Sequence, residues 1–275
     1  MSVWQLLQTS FVQNAFYAVT AVSLAAGVVG YFVVLRRQAF AAHAIGHIGF
    51  AGAAGAVLIG LSPVWGLLAF CLGAGLVIGV AGTDLDDRDA VVGVTLTAAL
   101  GLGVLFISLY SGYANATYSI LFGQILGVSV SDVWLVAALS AVVVLASSGV
   151  FRPLLFASVD GQSAAARGLS VRTMSIVFMS LLALTTVVAI QIVGVLLVFS
   201  LLVAPAASAE VLTRHPGRAV VVATLAALGS SWLGLFLAVW IGGPVSFWIT
   251  GLASTLYLVA RVSAALRERG RRVAA

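Results

Sequence analysis

Ala41-Ala42-His43-Ala44-Ile45-Gly46-His47-Ile48-Gly49-Phe50-Ala51-Gly52 places two of the chain's three histidines inside an apolar run long enough to be a helix. At positions i and i+4 the imidazoles fall on one helical face, about 40° apart at 100° per residue, and Phe50 and Ala54 continue that face. Ala42, Gly49, Gly52, Ala53 and Ala56 fall mostly on the opposite side, where small residues let another helix approach closely. One face offers two nitrogen donors that together can hold one cation. The other is built to pack.

The surrounding composition decides whether this helix meets water or lipid. Of the 275 residues, 62% are hydrophobic and 8% charged, against roughly 25% charged in soluble domains, and the mean hydropathy is +1.19. The chain is an integral membrane protein. A span needs about 20 apolar residues, and apolar runs fill nearly the whole length, leaving no room for a soluble domain. Alternating strands of about 10 residues, the mark of a membrane barrel, are absent. The predicted fold is an all-α polytopic bundle, a single transmembrane domain over residues 1–275.

The net charge of +5 comes from thirteen arginines and no lysine. Without lysine there is no phosphate-binding GxxxxGK[ST] loop, no Schiff-base chemistry and no lysine general base, so the chain is not its own P-loop ATPase. The single cysteine, Cys71, lies in an apolar run and excludes an internal disulfide or a CxxC motif. Residues 1–16 show no basic n-region or clear cleavage site, so the first span is expected to target the chain itself.

Turn and charge signals divide the chain. A first span covers about 14–35, and Arg36-Arg37 after it marks a cytoplasmic end, with the amino terminus outside. The histidine span covers about 39–60 and stops at Ser62-Pro63, since proline disfavours helix at the residue before it. A third span, about 64–82, contains Gly75-x-x-x-Gly79, read as a packing face. Thr83-Asp84-Leu85-Asp86-Asp87-Arg88-Asp89 reads as a solvated cytoplasmic loop; it lacks the ligand spacing, turn glycine and terminal glutamate of a Ca²⁺ loop. A fourth span covers about 91–110. Ser111 to Tyr118 is a polar external loop, Ile120 to Val130 a short amphipathic or half-membrane helix, and Ser131-Asp132 the N-cap of a fifth span.

Arg152 to Arg172 is the longest non-apolar stretch and carries the arginine bias of a cytoplasmic segment. Within it, Asp160 to Leu169 has an N-cap-like start, an alanine-rich middle and a glycine stop, so it reads as a short helix outside the membrane. The apolar run from Met174 to Val203 is too long for one upright span. It is expected to break near Gln191 and descend to Pro205, the kind of discontinuity in which transporters expose backbone groups. Glu210, Arg214, His215 and Arg218 then return to the cytoplasm, Glu210 pairing with Arg214 at i+4 and His215 serving as a plain turn residue. Spans at about 219–240 and 245–262 are joined at Gly242-Gly243-Pro244, and residues 261–275 form a basic cytoplasmic tail. That tail reads as a topology signal attracted to anionic lipid, with no role for nucleic acid. The total is eight or nine membrane helices.

Several stretches together resemble the membrane permease subunits of ATP-binding-cassette importers for zinc and manganese. They are Val34-Leu35-Arg36-Arg37 followed by the histidine segment, Leu121-Phe122-Gly123-Gln124-Ile125-Leu126, Asp160 through Leu169, and Gln191-Ile192-Val193-Gly194-Val195-Leu196-Leu197-Val198 running into Ala204-Pro205-Ala206-Ala207. In that family the second span usually reads G-D-A-x-S-H-A. His47 matches the family histidine, and His43 stands where the aspartate is expected. Imidazole in place of carboxylate moves the site from hard oxygen toward borderline nitrogen, which suits Zn²⁺ better than Mn²⁺. Where the family usually has D-P-E, this chain has Asp160-Gly161-Gln162.

The resemblance implies a multi-pass permease in a prokaryotic plasma membrane, working as a homodimer that does no chemistry itself. It implies an ATPase subunit that binds and hydrolyses ATP, an extracellular metal-binding protein, and no permanently bound cofactor. It places the coupling segments at about 152–172 and 205–218, with Asp160, Gln162, Arg167, Gly168, Glu210 and Arg214 near the ATPase. His43 and His47 are the expected metal ligands, because ionisable side chains inside a membrane are costly and by default mark a pathway. Two nitrogens do not fill the four-coordinate shell of Zn²⁺; two subunits would supply up to four, and a two-ligand site completed by water would release the ion readily. Imidazoles bind metal only when deprotonated, so transport is expected to fall as pH drops toward about 6. A proton-coupled carrier would normally need buried carboxylates in the path, and a membrane-embedded metalloenzyme a third catalytic group; no HExxH or GxSxG is present.

Overall fold

The computed structural model describes residues 5, 8–81, 85–110, 123 and 125–273. Among the described residues eleven α-helices follow one another: α1 (Ser10–Leu35), α2 (Ala39–Leu58), α3 (Pro63–Ala81), α4 (Leu85–Leu109), α5 (Val130–Gly149), α6 (Phe151–Val159), α7 (Gly161–Ala166), α8 (Val171–Val193), α9 (Val195–Leu212), α10 (Pro216–Ile241) and α11 (Val245–Val273). A 3₁₀ turn at Ile125–Gly127 precedes α5, and no strand occurs among the described residues. Eight helices are long and apolar enough to cross a bilayer: α1, α2, α3, α4 from Asp89, α5, α8, α10 and α11 as far as Arg267; α9 is apolar but shorter. The all-α polytopic reading holds.

Most spans are joined by connections of a few residues and run antiparallel to their neighbours, and Arg36, Arg37, Arg152, Arg167, Arg172, Arg214 and Arg218 sit at span ends or connections on the arginine-bearing side of the bundle. The connections at the other end, including Ile59 to Ser62 and Gly242 to Pro244, carry no charge. The core sits on α1, α2 and α8, whose apolar windows are 72%, 67% and 72% buried, while α4 and α11, at 17% each, lie outermost. α1 packs against α5, α8, α9 and α10, and α2 against α3, α4, α8 and α9.

Small residues set the closest crossings, because lipid supplies no hydrophobic drive and helices gain by backbone approach. Gly52 of α2 and Gly66 of α3 meet so tightly that a Cβ on either would collide with the other's carbonyl group. Gly75 and Gly79 pack on Met179 and Ile176 of α8, where an added Cβ would lie only 3.0 Å from the backbone, as expected for a packing face.

Several boundaries differ from the sequence reading. α1 starts at Ser10, four residues early. α4 starts at Leu85, so the stretch from Leu85 to Asp89 is already helical rather than a loop; Thr83 and Asp84 lie outside the described residues. The N-cap of α5 is Ser129, in a capping box with Asp132, and Ser131 is already helical. The expected loop from Ser111 to Tyr118, and Leu121, Phe122 and Gln124, lie outside the described residues. The break falls at Gly194, three residues after Gln191, and α9 runs through Pro205 to Leu212. Proline removes one N–H there, a loss that membrane helices tolerate.

Candidate ion-path site

Helix α2 packs its small-residue face into the core. Ala42, Gly49, Gly52, Ala53 and Ala56 are buried as their spacing predicts, while Phe40, His43, His47, Phe50 and Ala54 form a stripe that the rest of the chain covers only in part. His43 is exposed and His47 half-buried. Their rings meet edge to face with centroids 4.5 Å apart at 73°, so both imidazoles address the same space. Gly46 lies between them, and a side chain there would meet nothing within 4 Å. Among the described residues no group of three His, Cys, Asp or Glu side chains could hold a metal. One copy of the chain therefore offers two nitrogens on an open face.

The broken helix supplies the third ring. Gly194 takes φ +84° and ψ 162°, a region open essentially to glycine alone, and the chain restarts as α9 at Val195. Just over one turn later Phe199 meets His43 edge to face, centroids 5.3 Å apart at 81°. Gly123, at φ +74°, seats on the break itself: a Cβ there would lie 2.5 Å from the Val193 carbonyl carbon and 2.6 Å from the Ile192 oxygen. Two of the resembling stretches, one around Gly123 and one from Gln191 to Val198, thus touch. Gln191 Nε2 and Ser200 Oγ, on either side of the break, are buried without a hydrogen-bond partner among the described residues, an arrangement disfavoured in a purely structural core. Neither Phe199 nor Ser200 carries a signal in the sequence that points to the histidines.

At the arginine-bearing end, Asp160 caps α7 by accepting from the Ser163 N–H at 3.0 Å. Hydrogen bonds from Ser163, its hydroxyl first and its backbone second, hold the Asp160 carboxyl below the usual carboxylate range. Gln162 and Arg167 are exposed, the Arg167 guanidinium lies 5.5 Å above the Phe156 ring, and Gly168 at φ +83° ends the turn. Glu210 and Arg214 are both exposed, but the expected pair does not form. α9 ends at Leu212 and Thr213 is extended, which takes Arg214 off the helical face. His215 precedes the first turn of α10 as a plain connecting residue. In the sequence Arg36 reads as a topology signal and as part of the resembling Val34-Leu35-Arg36-Arg37 stretch, with no contact predicted. It donates to Ser158 Oγ at 3.0 Å and lies 5.1 Å above the Phe178 ring, joining the end of α1 to α6 and α8.

Eight apolar spans, a glycine-broken helix and a donor pair on a span whose opposite face is buried define a multi-pass protein of the cell membrane with the architecture of a transport permease. Residues 8–264 match the ABC 3 transport family, and the chain belongs to that family. The resemblance to permeases of metal-importing ATP-binding-cassette transporters is thereby borne out. The manganese transport system membrane protein MntC of Halalkalibacterium halodurans is 33% identical over 93% of this chain and 88% of its own. The manganese import system permease protein ScaB of Streptococcus parasanguinis is 30% identical over 92% and 91%. The solved structure of PsaBC from Streptococcus pneumoniae in complex with Fab is similar at a TM-score of 0.82 and 29% identity, covering 93% of this chain and 92% of that one.

Proposed function

We propose that the chain is the permease of an ATP-driven importer of a divalent transition metal, with His43 and His47 lining the ion path. The observation that carries this reading is the partly open histidine stripe on a helix whose opposite, small-residue face is buried. Imidazoles facing lipid would be costly, so the stripe is covered in the working assembly by a second copy about a two-fold axis, which raises the available imidazoles to four. Helices α6 and α7, with Asp160, Gln162, Arg167 and Gly168, and the α9–α10 connection, with Glu210 and Arg214, are the surfaces offered to a nucleotide-binding subunit at the arginine-bearing, cytoplasmic end. A metal-binding protein would deliver the ion to the opposite face.

The names of the relatives support a divalent transition metal. Within that class, two nitrogens at positions where the resembling family pairs aspartate with histidine favour Zn²⁺ over Mn²⁺. Metal-stimulated ATP hydrolysis by the reconstituted complex, scanned over zinc, manganese and iron, tests the choice. Zinc is expected to stimulate at the lowest free concentration. Stimulation by manganese at lower concentrations than zinc would overturn the preference.

A further inference from the structure

A furrow runs along α1 between α5 and α10, away from the histidine stripe. Both flanking helices pack on α1 but make no substantial contact with each other among the described residues. Near the arginine-bearing end it widens into a cavity of about 510 Å³ lined by Val28, Ser148, Phe151, Arg152, Pro153 and Val220. One helical turn further along α1 and α5 lies a second cavity, of about 760 Å³, between those two helices, with Leu24, Val144 and Leu145 at its near end. The furrow thus has a charged mouth and an apolar slot leading toward the bilayer centre.

Arg152 is the only ionisable side chain in the mouth. It stands three residues past the end of α5, at the depth where the spans leave the bilayer, and has no hydrogen-bond or ion-pair partner among the described residues. The Ser148 hydroxyl is already committed to the Val144 carbonyl at 2.7 Å. An uncommitted guanidinium at the membrane surface presents a planar fork of donors that matches phosphate oxygens, and basic pockets between spans are where phospholipid head groups dock. Val28, Val220, Leu24 and Leu145 offer only apolar atoms beyond it, so the matching ligand carries hydrocarbon directly below an anion. We propose that this furrow seats one anionic phospholipid from the leaflet at the arginine-bearing end, its phosphate on Arg152 and an acyl chain along Val28 and Leu24. The occupant holds α5 against α1 where α5 passes into α6.

The test is native mass spectrometry of the full-length permease titrated with phosphatidylglycerol or phosphatidylcholine of the same chains. Wild type is expected to retain phosphatidylglycerol preferentially. Arg152→Gln should lower that retention roughly five-fold, the effect of one arginine at an anionic surface, while Arg261→Gln leaves it unchanged. Val28→Trp, which fills the slot and leaves the arginine in place, should lower retention of both lipids and keeps the proposal testable if Arg152→Gln assembles poorly. Equal retention of the two lipids by wild type would overturn the proposal, as would equal losses from Arg152→Gln and Arg261→Gln. Competition by glycerophosphoglycerol as effective as that by the intact lipid would show a free-anion site and overturn it too. None of these readouts depends on which ion the permease carries.

Discussion

The His43 imidazole and the Phe199 ring stand edge to face, centroids 5.3 Å apart, although 156 positions separate them in the chain. The contact ties the histidine face of α2 to α9, whose register is set by the glycine break just over one turn earlier. A shift of the break therefore moves the ring that borders the histidines. Conformational change at the arginine-bearing end, where α9 finishes at Leu212, has a direct mechanical route to the proposed ion path.

Phe199→Leu keeps the volume apolar and removes the edge-to-face partner. Such a pair contributes about 0.5–1.5 kcal/mol beyond area burial, so the metal concentration for half-maximal ATPase stimulation should rise roughly 2- to 10-fold. Thermal melting in detergent should change little, because Phe199 is 37% exposed.

Gly194→Ala forces a side chain into φ +84°, ψ 162°. That should cost about 1–3 kcal/mol and lower the melting temperature, with loss of uptake. Gly251→Ala is the control: a Cβ at Gly251 meets nothing within 4 Å, and alanine is the better helix former, so melting should not fall.

Gly66→Ala places a methyl group against the Gly52 carbonyl. The α2–α3 crossing must open, at a cost of about 1–3 kcal/mol, and the histidine face turns with α2. Reduced melting together with weaker metal stimulation is expected; Gly73→Ala, on the same helix with open space around it, should show neither.

The Asp160 cap is pH-dependent with a definite sign. Its carboxyl is held below the usual range by the Ser163 hydrogen bonds, so its contribution is fully present above the ordinary carboxylate value and is lost as pH falls through the lower, folded one. Hydrogen exchange of the Gly161–Ala166 amides, compared with Asp160→Ala at each pH, should show protection near neutrality that disappears only in acid. Protection equal to that of Asp160→Ala at neutral pH would contradict the capping role.

Much of this was readable from periodicity. Ala42, Gly49, Gly52, Ala53 and Ala56 announce a packed face because a helix repeats its faces in sequence. The contact of His43 with Phe199, the seat of Gly123 on Ile192 and Val193, and the bridge from Arg36 to Ser158 were not readable, because each depends on how separate helices cross. Gln191 drew the expected break as the polar residue in an apolar run, yet a helix can bury a glutamine, and only Gly194 tolerates the backbone angles of the break itself. Pro205 suggested a helix end for a similar reason, but losing one hydrogen bond does not stop α9. Glu210 and Arg214 were spaced for a pair that exists only while the helix continues, and it ends between them.

Metal uptake into proteoliposomes by the permease bearing His43→Ala and His47→Ala together, with its ATPase and binding protein supplied, tests the central claim most directly. Uptake should fall to the background seen without ATPase, while assembly and melting stay as in wild type. Undiminished uptake by the well-assembled double variant would contradict the account and make the two imidazoles mere packing side chains.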